Sequence, residues 1–228
     1  MIDWITSITN DGIINELPNN LGKYDIRFFN SPKKLEEAIK EKGSKEDTKL
    51  SRLIATYDWK YVEKKKPKDS EYWEVKIGDW HKPWNYQLKK QNKNIEKLSW
   101  AEQPQTINEV GSTFTIQGFD LNYAGLIIGP SVKYRNGHIV FDPSESKNKK
   151  AVQNRTLSDG TSKKFGEKLL KHELNVLMKR GVNGLYIYAC DKELRAKLIS
   201  CVQKKMIYPR GEKGWSNVAQ DDNGYRYY

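Results

Sequence analysis

The chain has almost no cysteine: two in 228 residues, Cys190 and Cys201. Their positions fit neither a disulfide framework nor a thiolate metal site, and a reducing compartment suits them best. Histidine is nearly as scarce, at three. His81, His138 and His172 have no cysteine or carboxylate at metal-ligand spacing, and His172-Glu173 lacks the second histidine of an H-E-x-x-H site. No run approaches the roughly 20 apolar residues of a membrane span, and residues 1–8 are not a basic-plus-apolar leader. The expectation is a soluble, cytoplasmic protein with no metal and no membrane partner. Also missing are a G-x-S-x-G nucleophile elbow and a G-x-x-x-x-G-K-[S/T] phosphate loop. Without that loop the chain has no cradle of its own for β- and γ-phosphates and magnesium.

What is present is positive charge and aromatic surface. Forty Lys and Arg face twenty-nine Asp and Glu, a formal net charge of +11. So basic a surface attracts polyanions, nucleic acid first among them; a lysine- and asparagine-rich composition typical of an A·T-rich genome would give the same balance. Hydrophobic residues make up 37%, low for a compact domain, which predicts long polar loops. Seven Trp and thirteen Tyr argue against wholesale disorder.

Along the chain, residues 1–22 read as a lead-in segment. Residues 24–29 (YDIRFF) read as a strand, and Ser31-Pro32 open a helix that Gly43 closes. Residues 53–59 (LIATYDW) form a second strand and residues 72–77 a half-buried one. Residues 60–105 are a Trp- and Lys-rich insertion. Four apolar runs follow with the look of buried strands: 113–116, 126–128, 139–141 and 185–188. A polar loop spans about 142–161, helices cover about 162–179 and 192–204, and residues 209–228 are a polar tail. Strands alternating with helices predict an α/β domain with a largely parallel sheet.

Two segments carry a resemblance. Residues 111–129, GSTFTIQGFDLNYAGLIIG, and residues 175–191, NVLMKRGVNGLYIYACD, resemble in order and spacing the fifth and sixth conserved motifs of superfamily 1 helicases. YDIRFF and SRLIATYDWKY are also similar to the bacterial helicase-like family called domain of unknown function 2075. The resemblance covers roughly residues 24–205 and implies the second RecA-like lobe of a helicase-type motor, a three-layer domain over residues 23–208. It implies that Gln117, Gly118, Asp120 and Arg180 contribute to a nucleotide site between two lobes. Arg180 would reach the γ-phosphate, and Gln117 would couple nucleotide to nucleic acid. Ser112, Thr113 and Thr115 would offer hydroxyls to a phosphate backbone. A guanidinium fork suits Arg180's task because charge builds on the transferring phosphoryl group. Lys179 departs from the family pattern, which has Thr before the arginine. The implied cofactors, ATP and magnesium, would bind only if a first lobe were supplied, so the chain alone is expected to be inactive as an ATPase.

The insertion supplies a further candidate. Aromatic rings interleaved with Lys82, Lys89, Lys90 and Lys93 could stack unpaired bases and neutralise phosphates of a single strand. Trp59, Trp73, Trp80 and Trp84 could equally pack beneath the insertion; Trp84 and Trp100 are the candidates for stacking, with Lys82 beside them. The partners expected are single-stranded nucleic acid, bound without sequence preference, and an ATPase lobe or partner protein. Two other classes stay open: a metal-dependent nuclease or other hydrolase with carboxylates gathered around Asp120, and a non-catalytic interaction module; Asp58 with Glu71 or Glu74 could form an acid–base pair, though charged strand and loop residues are usually solvated.

Overall fold

The structure is a computed structural model describing residues 1–89, 94–153, 155, 156, 158 and 162–203. The tail 209–228, Lys90 and Lys93, and part of the 142–161 loop lie outside the described residues.

Chain order builds the sheet from scattered pieces. Helix α1 (Ile2–Thr6) runs on into a π-helical turn, Ser7–Asp11, closed by Gly12 at φ 71°. Strand β1 (Asp25–Phe28) leads to α2 (Pro32–Gly43), whose N-cap Ser31 accepts a hydrogen bond from the Lys33 amide with Pro32 at the first helical position. Then come β2 (Arg52–Ala55), the hairpin of β3 (Glu74–Ile77) and β4 (Trp80–Pro83), the short β5 (Val110–Gly111), β6 (Leu121–Ile128) and the hairpin of β7 (Val132–Arg135) and β8 (His138–Phe141). A short helix α3 (Lys149–Val152) precedes the two-residue strands β9 (Arg155–Thr156) and β10 (Ser162–Lys163). Helix α4 (Gly166–Met178), strand β11 (Gly181–Ala189) and helix α5 (Lys192–Gln203) complete the described fold.

The central sheet has five strands in the order β1-β11-β6-β2-β5, and every pairing in it is parallel. Its two faces follow from side-chain alternation along β11. Leu185, Ile187 and Ala189 point to a core shared with Leu170, Leu174 and Leu177 of α4 and Leu194, Leu198 and Cys201 of α5. Tyr186 and Tyr188 point the other way, to Leu35 and Ile39 of α2 and to Trp84. Helices on both faces make this the three-layer, RecA-like α/β arrangement. At Gly125 in β6 an added Cβ would lie 2.5 Å from Ile39 Cγ1 and 2.8 Å from Leu53 Cδ2, so α2 seats directly on the backbone there.

Several expectations are corrected. Residues 113–116 are a turn, not a strand: the Ser112 amide donates to Thr115 Oγ1 at 2.7 Å, and that hydroxyl donates back to the Ser112 carbonyl at 2.9 Å. A side chain that satisfies the local backbone in this way competes with a ladder. The runs at 72–77 and 139–141 are strands, but each pairs in its own hairpin outside the central sheet. The lead-in segment 1–22 contributes Trp4, Ile5, Ile8, Ile14 and Leu17 to the core beneath α4.

Candidate functional site

The segment 112–120 leaves β5 at the carboxyl edge of the sheet and enters β6 at the amino edge. In passing it buries Ile116 fully. The two ends of the segment therefore serve opposite edges, and each end collects a different set of side chains.

At the amino edge the Leu121 amide donates to the Arg180 carbonyl at 2.8 Å, where β6 and β11 begin side by side. That pairing brings Asp120 and Arg180 together: Arg180 Nη1 lies 3.3 Å from Asp120 Oδ1, with the arginine side chain 26% exposed and the aspartate 58% exposed. Arg180 Nε is buried and has no hydrogen-bond acceptor among the described residues. Gln117 and Gly118, with φ 91° at the glycine, are exposed just upstream in the same crossing. The helix α4 ends at Met178, so Lys179 and Arg180 form the link into β11. The terminal guanidinium nitrogen of Arg180 therefore meets one exposed acid, while Nε lies inside the domain.

At the carboxyl edge the segment is rigid. Ser112 is fully buried and its Oγ donates to Asn85 Oδ1 at 2.6 Å; the Phe114 amide donates to Ser112 Oγ at 3.2 Å. The hydroxyls of Ser112 and Thr115 are thus committed internally, and of the three expected phosphate contacts only Thr113, half-buried, is not engaged in this turn. Next to it Phe114 is 58% exposed and stands edge-on to Tyr57, with ring centroids 5.5 Å apart.

Trp84 is not a base-stacking platform. It is fully buried, packs against Tyr57 and Trp59, and donates from Nε1 to the Trp59 carbonyl at 3.2 Å. Trp100 is also buried, its Nε1 donating to Glu109 Oε2 at 3.0 Å. Glu109 further accepts the amides of Gln87 and Leu88, so it ties the insertion down, and burial pushes its carboxyl up. Lys82 is only 24% exposed and sits 2.6 Å from the buried Glu36, an ion pair within the domain rather than a free cation.

The carboxyl edge also holds a pair of buried acids. Asp58 faces Glu173 of α4, not Glu71 or Glu74. Asp58 Oδ2 accepts from Thr56 Oγ1 at 3.0 Å and from the Ser131 amide at 2.9 Å, while Oδ1 is buried without a partner. Glu173 Oε1 accepts the Tyr57 amide at 2.9 Å. Burial and the neighbouring Asp58 push the Glu173 carboxyl up to about 8, and burial raises Asp58 as well. No group of three His, Cys, Asp or Glu that could hold a metal ion occurs among the described residues, around Asp120 or elsewhere. No helix among them is long and apolar enough to cross a membrane. Nothing in the sequence pattern flagged Glu173 or Phe114: the first reads as an ordinary helix acid, the second as one more apolar residue of a supposed strand.

A family model described as Schlafen group 3, DNA/RNA helicase domain matches residues 1–191. An uncharacterized protein of Saccharomyces cerevisiae is 32% identical over 214 residues, which are 87% of this chain and 44% of the yeast protein. The chain thus spans less than half the length of that curated relative, which is a yeast protein and not a bacterial one. No solved structure matches.

Proposed function

Because the chain belongs to the Schlafen group 3 DNA/RNA helicase domain family, we propose that it is the second RecA-like lobe of a nucleic-acid-dependent NTPase. The observation that carries this reading is the Asp120–Arg180 contact at the amino edge, with Gln117 and Gly118 exposed beside it in sequence. Those residues come from two segments 60 positions apart, and the pairing of β6 with β11 sets them side by side. Arg180, whose described partner at the surface is one exposed carboxylate, fits an incoming phosphate: the guanidinium can leave Asp120 and stabilise a phosphoryl group through its terminal nitrogens. ATP with magnesium would supply that phosphoryl group. This chain's residues would orient it and offset its charge, while the phosphate loop would come from another lobe.

The test is steady-state ATP hydrolysis by the purified chain, with and without single-stranded nucleic acid. Background turnover is expected in both conditions. Sustained hydrolysis that disappears in Arg180→Ala would overturn the division of labour between lobes.

A further inference from the structure

We propose that the crevice between the carboxyl ends of β2 and β6 is a magnesium site, with Asp58, Glu173 and Ser131 as its protein ligands. The proposal goes beyond the helicase-lobe reading and does not depend on it. Topology marks the place. β2 runs on to β5, its neighbour on one side, and β6 runs through α4 to β11, its neighbour on the other. The chain thus leaves two adjacent carboxyl ends in opposite directions, and open α/β sheets take their ligands outside such a switch point. Two unsatisfied oxygens meet there. Asp58 is 4% exposed, and its Oδ1 has no hydrogen-bond partner, although Oδ2 accepts from Thr56 Oγ1 and from the Ser131 amide. Ser131 is fully buried; its Oγ makes no hydrogen bond of normal geometry, yet its side chain borders the same carboxylate. Buried polar atoms are nearly always satisfied, so two in one crevice point to an occupant. Asp58 is also held there by close packing: a Cβ added at Gly129 would lie 2.2 Å from its Oδ2, so it sits on the bare backbone at the end of β6. Charge selects a cation over a water molecule. Glu173 of α4 is fixed by the Tyr57 amide on Oε1 and stands close enough to Asp58 for the two carboxylates to repel. Neither acid forms an ion pair among the described residues. Glu145, a third carboxylate acting on Asp58, has Lys133 at 3.5 Å. Two carboxylates and a hydroxyl are hard oxygen donors, fewer than the roughly six to eight that calcium takes. Magnesium suits them, being held by one or two carboxylates with water on its other positions.

Manganese(II) is the probe, with the free ion counted by its electron paramagnetic resonance signal in the presence of the full chain stripped of metal by chelator. One ion per chain is expected, displaced by added magnesium. Asp58→Asn and Glu173→Gln should each weaken its binding by at least about ten-fold, since even groups that only orient a metal ligand contribute that much. Ser131→Ala should weaken it by less, and Glu71→Gln, on an exposed loop acid, should leave it unchanged. Circular dichroism checks that each variant folds. Glu173→Gln keeps an acceptor for the Tyr57 amide, so it decides the matter if Asp58→Asn does not fold. A parent chain that binds no stoichiometric manganese, or a bound ion that survives Glu173→Gln at full affinity, overturns the site and leaves a buried water as its occupant.

Discussion

Glu173 carries the clearest pH consequence of any residue. Its folded-state value of about 8 lies far above the ordinary carboxylate range because it is buried against Asp58. The folded chain therefore keeps a proton that the unfolded chain releases near pH 4, so stability from this site is fully present below about pH 4. It falls as pH rises through the window up to about 8, since there the native state binds more protons. Glu173→Gln keeps an oxygen to accept the Tyr57 amide and removes the titration. It should stabilise the chain at pH 8 by on the order of 4 kcal/mol and by almost nothing at pH 4, as read from urea midpoints at the two values. Equal effects at both would place the gain elsewhere. Arg180 makes the contrasting case. Its ion pair with Asp120 is surface-exposed on the acid side, and such pairs contribute about 0–1 kcal/mol. Arg180→Ala should leave the urea midpoint nearly unchanged; a loss of several kcal/mol would make the arginine a structural strut and undermine its proposed role.

At the scale of elements, the N-terminal helix shows what local pattern conveys and what it does not. Trp4 is 3% exposed, packs tilted against Phe28 with ring centroids 6.1 Å apart and donates from Nε1 to the Asn15 carbonyl at 2.9 Å. Trp4→Ala should cost about 3–5 kcal/mol in chemical unfolding, a loss that a merely tethered lead-in would not produce. Residues 1–22 hid this because a five-residue helix merging into a π-turn has no sustained 3.6-residue period. The parallel strands were legible for the opposite reason. LIATYDW, the 126–128 run and the 185–188 run are apolar because both their faces are covered by helices, while YDIRFF, at the sheet edge, keeps Asp25 and Arg27 half-buried. The hairpin strands at 74–77 and 138–141 carry similar residues, and only tertiary pairing excludes them from the sheet. At the site, the register of β6 with β11 joins Asp120 and Arg180, which lie 60 positions apart in sequence. Trp84 misled because composition cannot distinguish a tryptophan that supports an edge from one that lines it. Phe114 was lost to a strand assignment that the Thr115 hydroxyl overrules.

For the whole molecule, strand binding and nucleotide binding make two independent experiments. A net charge of +11 should give binding to single strands that weakens steeply with salt, because each neutralised phosphate releases a counterion. That response belongs to the general field of the basic surface. It should survive Arg180→Ala with its slope intact, because Arg180 is already partnered by Asp120. Nucleotide, by contrast, has little on this chain to hold it: one guanidinium paired with an exposed carboxylate, a glycine turn, and no phosphate loop in the sequence. Calorimetric titration of the chain with ATP and magnesium should therefore show binding no tighter than about the millimolar range, worth about 4 kcal/mol. Saturating single strand should not change that, since coupling between the two ligands requires a second state that only an opposed lobe could favour. Micromolar ATP binding by this chain would place a nucleotide pocket within it and remove the need for a second lobe.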